Sequence, residues 1–224
     1  QKEGATKELG VDFRLYKFNA EFKNDDLRRE IGKIAKLSRV GGIIVQLPLP
    51  EGVNRRYVLN AIPVEKDMDV LSEKAQEAFR TGKNKVLPPA VGVVEEIIEN
   101  CKLKIENLRV AVVGLGFLVG KPISEWLRNK CAELYLLDKG DDFSVLKNAD
   151  LVISGVGQAS IIKPEMLKQD AGVIDFGYSI DENGKTHGDL DANALEIAWY
   201  TPTPGGTGPI LVAKLMENFY SLNS

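Results

Sequence analysis

The sequence predicts an α/β fold whose second half is built on a mostly parallel sheet. Two observations carry this. Strand and helix patterns alternate strictly there: strands at Val110–Gly114, Glu133–Asp138, Leu151–Ser154, Val173–Asp175 and Ile197–Tyr200, helices at Val119–Asn129, Phe143–Ala149 and Pro164–Lys168. Such alternation implies a parallel sheet covered on both faces. The stretch RVAVVGLGFLVGKP, Arg109 to Pro122, then reads as strand, glycine turn and helix, the context that a dinucleotide fingerprint requires.

The first half is more mixed. Lys2–Leu9 reads as the end of a helix stopped by Gly10. Val11–Phe18 alternates well enough for a strand, with Val11, Phe13 and Leu15 on one face. Asp25–Leu37 has helical spacing at Leu27, Ile31, Ile34 and Leu37. Gly41–Leu47 is an apolar strand interrupted by Gln46 and ended by Pro48 and Pro50. Tyr57–Ile62 reads as a short helix, Pro63–Asp69 as a polar loop, and Ala90–Asn100 as a helix leading from one half to the other. Beyond the alternating strands, Ser179–Asp191 carries the turn signal Glu182-Asn183-Gly184. Thr201–Pro209 is a rigid Pro/Gly loop, and Pro209–Tyr220 is a final amphipathic helix.

The glycine turn is the strongest chemical signal. Gly114, Gly116 and Gly120 are spaced GxGxxxG, one residue off the commonest form. Glycine allows a tight turn and close approach of a pyrophosphate, and the following helix N-terminus offers unpaired N–H groups. Asp138 ends the next strand pattern, roughly 20 residues on, where an acid can bind a ribose hydroxyl. The competing reading is a tight strand–helix connection with no nucleotide.

Composition narrows the rest. The chain has 224 residues, 44% of them hydrophobic, which suits one large or two modest domains with an ample core. A net charge of −3 with scattered basic residues gives no reason to expect nucleic acid or a membrane surface as a partner. No apolar run approaches the ~20 residues of a membrane span. Cys101 and Cys131 have neither metal spacing nor a disulfide context, which fits a reducing cytoplasm. The single His187 supports no metal site and no His-based triad. The chain starts at Gln1 inside a helix pattern, so an upstream segment is expected.

What remains is a small polar set, Lys2, Gln46, Asp67 and Asp69. A glutamine inside an apolar strand costs free energy unless its amide finds partners. Gln46 either faces solvent from an edge strand or hydrogen-bonds a substrate or a lysine. Lys66, Asp67 and Asp69 are either a solvated loop or a binding loop. The Pro/Gly loop is either a connector or a bare backbone for a flat ligand.

Taken in order, GGIIVQLPLP, PVEKDMD, VVGLGFLVGKP, GVIDFGYS, HGDLD and TPTPGGTGPILVAKLMEN resemble the bifunctional methylenetetrahydrofolate dehydrogenase/methenyltetrahydrofolate cyclohydrolase family, along essentially the whole chain. The resemblance implies two α/β domains, usually in a homodimer. A catalytic domain would span 1–89, completed by the helix 209–224, and an NAD(P)-binding Rossmann-like domain would span 90–208. Folate would lie in a cleft between them. The family oxidises the methylene bridge of 5,10-methylenetetrahydrofolate with a nicotinamide cofactor and hydrolyses the resulting methenyl cation to the 10-formyl form. Carried over by position, the catalytic lysine falls on Lys2, its supporting glutamine on Gln46 and the folate-gripping aspartate on Asp69. Gln46, Leu47, Pro48, Asp69, Pro204, Gly205 and Gly206 would contact the tetrahydrofolate substrate. Gly114, Leu115, Gly116, Gly120, Asp138 and Tyr178 would contact the cofactor. The family's active-site tyrosine lies three residues before the lysine, ahead of Gln1.

This chain also departs from the family pattern. Gly114-Leu115-Gly116 replaces the usual Gly-Arg-Ser, and Asp138-Lys139 replaces the usual His-Ser. Asp138 would repel a 2′-phosphate and bind a free diol, which favours NAD over the family's common NADP. Lys139 alone argues the other way. Leu87-Pro88-Pro89-Ala90 stands for Pro-Cys-Thr-Pro, and Tyr178-Ser179 for Ile-Asn. Three readings stay open: the bifunctional enzyme, a dehydrogenase without cyclohydrolase activity, and a non-enzymatic folate- or nucleotide-binding protein.

Overall fold

The computed structural model describes residues 1–19, 22–191 and 199–224. The chain divides into two compact units, one formed by Gln1–Pro89 with Val212–Ser224 and the other by Ala90–Leu211.

The second unit carries a parallel five-stranded sheet in the order β2-β1-β3-β4-β7. Its strands are β1 (Arg109–Val113), β2 (Glu133–Leu137), β3 (Leu151–Ser154), β4 (Gly172–Asp175) and β7 (Trp199–Tyr200). Ile197, in the last strand expected from the sequence, lies outside the described residues. β3 and β4 are buried throughout, as strands covered on both faces must be, whereas the edge strand β2 is largely open. Ala111, Val113, Val152, Val173, Leu146 and Ile162 form the core on one side of the sheet. The chain steps from β1 out to β2 and returns past β1 to β3, so the strand order reverses between β1 and β3. Open α/β sheets bind ligands at such a reversal, beyond the carboxyl ends of the strands.

Helices α5 (Pro89–Asn100) and α6 (Gly120–Leu127) form where periodicity places them. The segments Phe143–Asn148 and Pro164–Met166 are 3₁₀ turns, not the α-helices expected, being too short to repeat the i→i+4 ladder. The Glu182–Gly184 turn closes a small hairpin, β5 (Ser179–Ile180) with β6 (Thr186–His187). At the opposite end of the sheet, Asp150 accepts from the Arg109 side chain at 3.1 and 3.2 Å and pairs with Lys168. The Arg109 hydrogen bonds hold this carboxyl well below the usual carboxylate range.

The first unit is helical and irregular. It contains α1 (Lys2–Glu8), α2 (Asn24–Ala35), α3 (Arg55–Leu59) and α4 (Glu73–Arg80), and α7 (Thr207–Asn223) runs into it from Val212 onward. Two expected strands do not form. Val11–Phe18 forms no regular element and makes no ladder, and Leu15 is 66% exposed. Gly41–Leu47 makes one bridge, Ile43 to Asp67, where the Ile43 N–H donates to the Lys66 carbonyl at 2.8 Å. Alternation marks strands only when a neighbouring strand supplies the ladder, and no described segment of this unit does. The expected polar loop at 63–69 is also corrected. Val64–Lys66 is a 3₁₀ turn, Asp67 is 1% exposed and Met68 is buried.

Candidate active site

In the second unit, β1 ends at Val113 and the chain turns at Gly114, whose φ is +83°. A side chain there would be strained and would stand 2.9 Å from Val156 Cγ2. The turn after β1 therefore packs against the turn after β3, and only a bare backbone fits. Gly120 starts α6, and a Cβ on it would collide with the Gly114 carbonyl. It is a packing glycine, which lets helix and strand close on each other. Gly116 is exposed and meets no such obstacle, and Leu115 is half-buried.

A cavity of about 630 Å³ opens beside this turn, within the range of small-molecule sites. Gly114, Asp138, Lys139, Lys147, Val156 and Gln158 are among its walls. Asp138 is exposed at the end of β2. Its Oδ1 accepts the Lys139 N–H at 2.9 Å, and its own N–H donates to Asp141 Oδ2 at 2.7 Å. Asp141 is thus used in fixing the loop, while Asp138 keeps acceptor capacity facing the cavity. Tyr178 is 63% exposed, with its carbonyl near Gly157. The Pro/Gly loop is closely folded: a Cβ on Gly206 would collide with the Pro202 carbonyl, and Gly205 has a φ of +99°. Pro204 follows a cis peptide bond.

Residues without an assigned role on sequence grounds hold this region. Asp189 is fully buried and accepts from the Ser154 hydroxyl at 2.6 Å, the Val156 N–H at 2.7 Å and the Gln158 N–H at 2.9 Å. Asp175 accepts from the Gly177 and Leu190 N–H groups at 2.6 and 2.9 Å, and burial pushes its carboxyl up. The signal for both was an acid within two residues of a glycine in an apolar setting, DFG and HGDL. Such an acid is buried and must be paired with backbone donors.

In the first unit, Lys2 lies in the first turn of α1 and its ammonium donates to Gln46 Oε1 at 3.3 Å. The Gln46 amide donates to the Leu47 carbonyl at 2.9 Å. The glutamine is exposed, and it is fixed at both ends of its amide, so it holds the lysine without adding charge. Leu47 and Pro48 follow across a cis bond. Asp69 lies in the electrostatic reach of Lys2. Desolvation raises its carboxyl to about 6, against the pull of Lys2 and with a small push from Asp67. Among the described residues, nothing donates a hydrogen bond to Asp69. The structure thus brings Lys2, Gln46 and Asp69 together, whereas Lys66 and Asp67 are occupied in holding the loop. No cluster of His, Cys, Asp or Glu among the described residues could hold a metal. No described helix is long and apolar enough to cross a membrane.

A doubly wound parallel sheet with a glycine turn at its strand-order reversal defines a dinucleotide-binding α/β protein. Residues 1–69 match the tetrahydrofolate dehydrogenase/cyclohydrolase catalytic domain, and residues 88–224 match the NAD(P)-binding domain of the same family. The chain is 33% identical to the bifunctional protein FolD of Mycoplasmopsis synoviae, over 99% of this chain and 82% of that protein. Its fold is similar to the bifunctional enzyme FolD of Campylobacter jejuni, with a TM-score of 0.92, 28% identity, and coverage of 99% and 81%. It is also similar to the Trypanosoma brucei dehydrogenase-cyclohydrolase solved with NADP and an inhibitor, with a TM-score of 0.91, 27% identity, and coverage of 99% and 79%. The chain belongs to the tetrahydrofolate dehydrogenase/cyclohydrolase family.

Proposed function

We propose that this protein oxidises 5,10-methylenetetrahydrofolate with a nicotinamide dinucleotide and hydrolyses the methenyl product to 10-formyltetrahydrofolate. The observation that carries this reading is the pairing of Lys2 with Gln46 beside Asp69, a desolvated carboxylate with no donor among the described residues. A pterin edge presents two adjacent N–H groups, which suit a carboxylate in that state. The residues also fit the cofactor: Gly114 and Asp138 line the cavity of about 630 Å³, and Gly116 beside them is exposed, with only the Gly155 carbonyl, 3.9 Å away, near the place a side chain would start. Gly114, Gly116 and the start of α6 would hold the pyrophosphate, Gly120 would keep helix and turn in place, and Asp138 would hold the ribose. When bound, the nicotinamide supplies the hydride acceptor for the first step.

The chain's own part in that step is positioning, because two nitrogen lone pairs already stabilise the cation left behind. The second step adds water to the methenyl carbon. The Lys2 amine moves the proton released from that water, and one carbon–nitrogen bond breaks to leave the 10-formyl group. Gln46 orients the lysine, and Asp69 holds the pterin. With methylenetetrahydrofolate and dinucleotide supplied, Lys2→Met should abolish loss of methenyl absorbance beyond the uncatalysed rate, with the fold intact. Full hydrolysis in that variant overturns the assignment.

We further propose that NAD is preferred over NADP. Asp138 faces the cavity with acceptor capacity that a ribose diol satisfies and a 2′-phosphate opposes. Lys139 and Lys147 line the same cavity and oppose this trend. The kcat/KM with NAD should exceed that with NADP, and a tenfold advantage for NADP contradicts it. The working form is proposed to be a cytoplasmic homodimer. Sedimentation across a concentration series tests the assembly.

A further inference from the structure

Each residue of the 66–69 segment is pinned by a contact that has nothing to do with ligand, except the last. The Lys66 ammonium donates to the Ala35 and Leu37 carbonyls at 2.7 and 3.1 Å, capping the end of α2. The Met68 carbonyl accepts from Asn218 Nδ2 at 2.8 Å. Asp67 Oδ1 accepts the Leu71 N–H at 3.0 Å and its Oδ2 accepts the Ser72 N–H at 2.7 Å. The Ser72 hydroxyl caps α4 by accepting the Ala75 N–H at 3.4 Å.

Between Asp69 and these amides stands Val70, at a φ of +56° and 5% exposed. A β-branched residue in the left-handed region is an outlier that persists only where its surroundings over-determine it. The over-determining group is visible. The Val70 N–H is held by the Asp67 carbonyl at 3.1 Å, and the next two amides are held by the Asp67 carboxylate. Asp67 itself, 1% exposed and with both oxygens engaged, has nothing to offer a ligand.

We propose that Asp67 is a positioning residue for the folate site, stapling the left-handed turn at Val70 and so fixing where the Asp69 carboxylate stands. This rests on the reading of Asp69 as the pterin-binding group. An asparagine at 67 keeps one acceptor oxygen but turns an amide toward a backbone N–H, so the staple opens and Val70 relaxes. Asp69 then moves, and folate binding weakens while the groups at the reacting carbon stay in place. Glycine at 70 adopts the left-handed turn without support, so it should compensate for a lost staple.

The test is steady-state kinetics on four variants of the full chain. Asp67→Asn should raise KM for methylenetetrahydrofolate by about tenfold, with kcat within about threefold and the dinucleotide KM unchanged. Val70→Gly alone should leave all constants within about twofold, and Asp67→Asn with Val70→Gly should recover the folate KM to within about threefold. An unchanged folate KM in Asp67→Asn, a fall confined to kcat, or no recovery in the double variant overturns the proposal. If Asp67→Asn does not fold, a folded double variant with the KM of Val70→Gly supports it, and an unfolded double variant overturns it. Asp69→Asn separates the two levels. If it leaves the folate KM unchanged, the site reading itself fails. If it raises KM while Asp67→Asn does not, only the staple fails.

Discussion

The two units build their candidate sites in opposite ways. The second unit builds its site from backbone: a bare glycine turn, a helix start and two buried carboxylates whose hydrogen bonds fix the loops. Its regular ladder and packed apolar core make that backbone rigid. Among its described residues the first unit has one isolated bridge and no sheet, and its candidate site is made of side chains on irregular chain. Lysine, asparagine and aspartate bonds to carbonyls and amides do the work that a ladder does elsewhere. The second unit satisfies its buried Asp175 and Asp189 with backbone donors, whereas no described residue donates a hydrogen bond to Asp69 in the first.

Several substitutions break or sharpen that contrast. The largest effect is expected at Lys2, where Lys2→Met should cost about 10²–10⁴ in hydrolysis rate, the usual span for a lost proton-transfer group. Circular dichroism should show the fold unchanged. Gly120→Ala should act through backbone instead. Its methyl meets the Gly114 carbonyl, so strand and helix must part, at about 3 kcal/mol or more. Denaturant unfolding should show that loss, and dinucleotide affinity should fall with it.

Asp69→Asn should move stability the other way. Ionising Asp69 in the folded protein is opposed, its pKa being about 6 against 3.8 in the unfolded chain. The folded state therefore holds its proton more tightly. No penalty exists below pH about 3.8, it grows between there and about 6, and above that it is complete, at about 3 kcal/mol. The variant should accordingly be up to about 3 kcal/mol more stable than the parent at pH 8 and equal to it at pH 3.5. Equal stability at both values would show that the carboxylate is not desolvated. The smallest effect should come from Asp189→Asn, which leaves a donor facing the Val156 or Gln158 N–H. About 1–3 kcal/mol of stability should be lost, with a raised dinucleotide KM and an unchanged folate KM.

The same contrast explains what could be read from sequence. Val110–Val113, Leu151–Ser154 and the Gly114 turn were legible because apolar runs and glycines speak directly for a buried parallel strand and a tight turn. Phe143–Asn148 has helical spacing but too little length to sustain an α-helix. Val11–Phe18 has the alternation of a strand but no described neighbour to pair with, and alternation cannot reveal that. The pairing of Lys2 with Gln46, forty-four positions apart, is tertiary. Residue chemistry grouped them as candidates, and only resemblance assigned them roles in one site. Nothing in the sequence marks Val70 as left-handed, since a β-branched residue is the last that backbone preference would place there.

The central claim is that Asp69 is held ionisable and unpartnered in order to grip a folate. Its most direct test is the affinity of a tetrahydrofolate substrate for the parent protein and for Asp69→Asn, measured from pH 5 to 8. The parent should bind more tightly throughout the upper range and lose that advantage as the pH falls through about 6. A parent-to-variant ratio that is flat across the range, or equal to one, would contradict the claim.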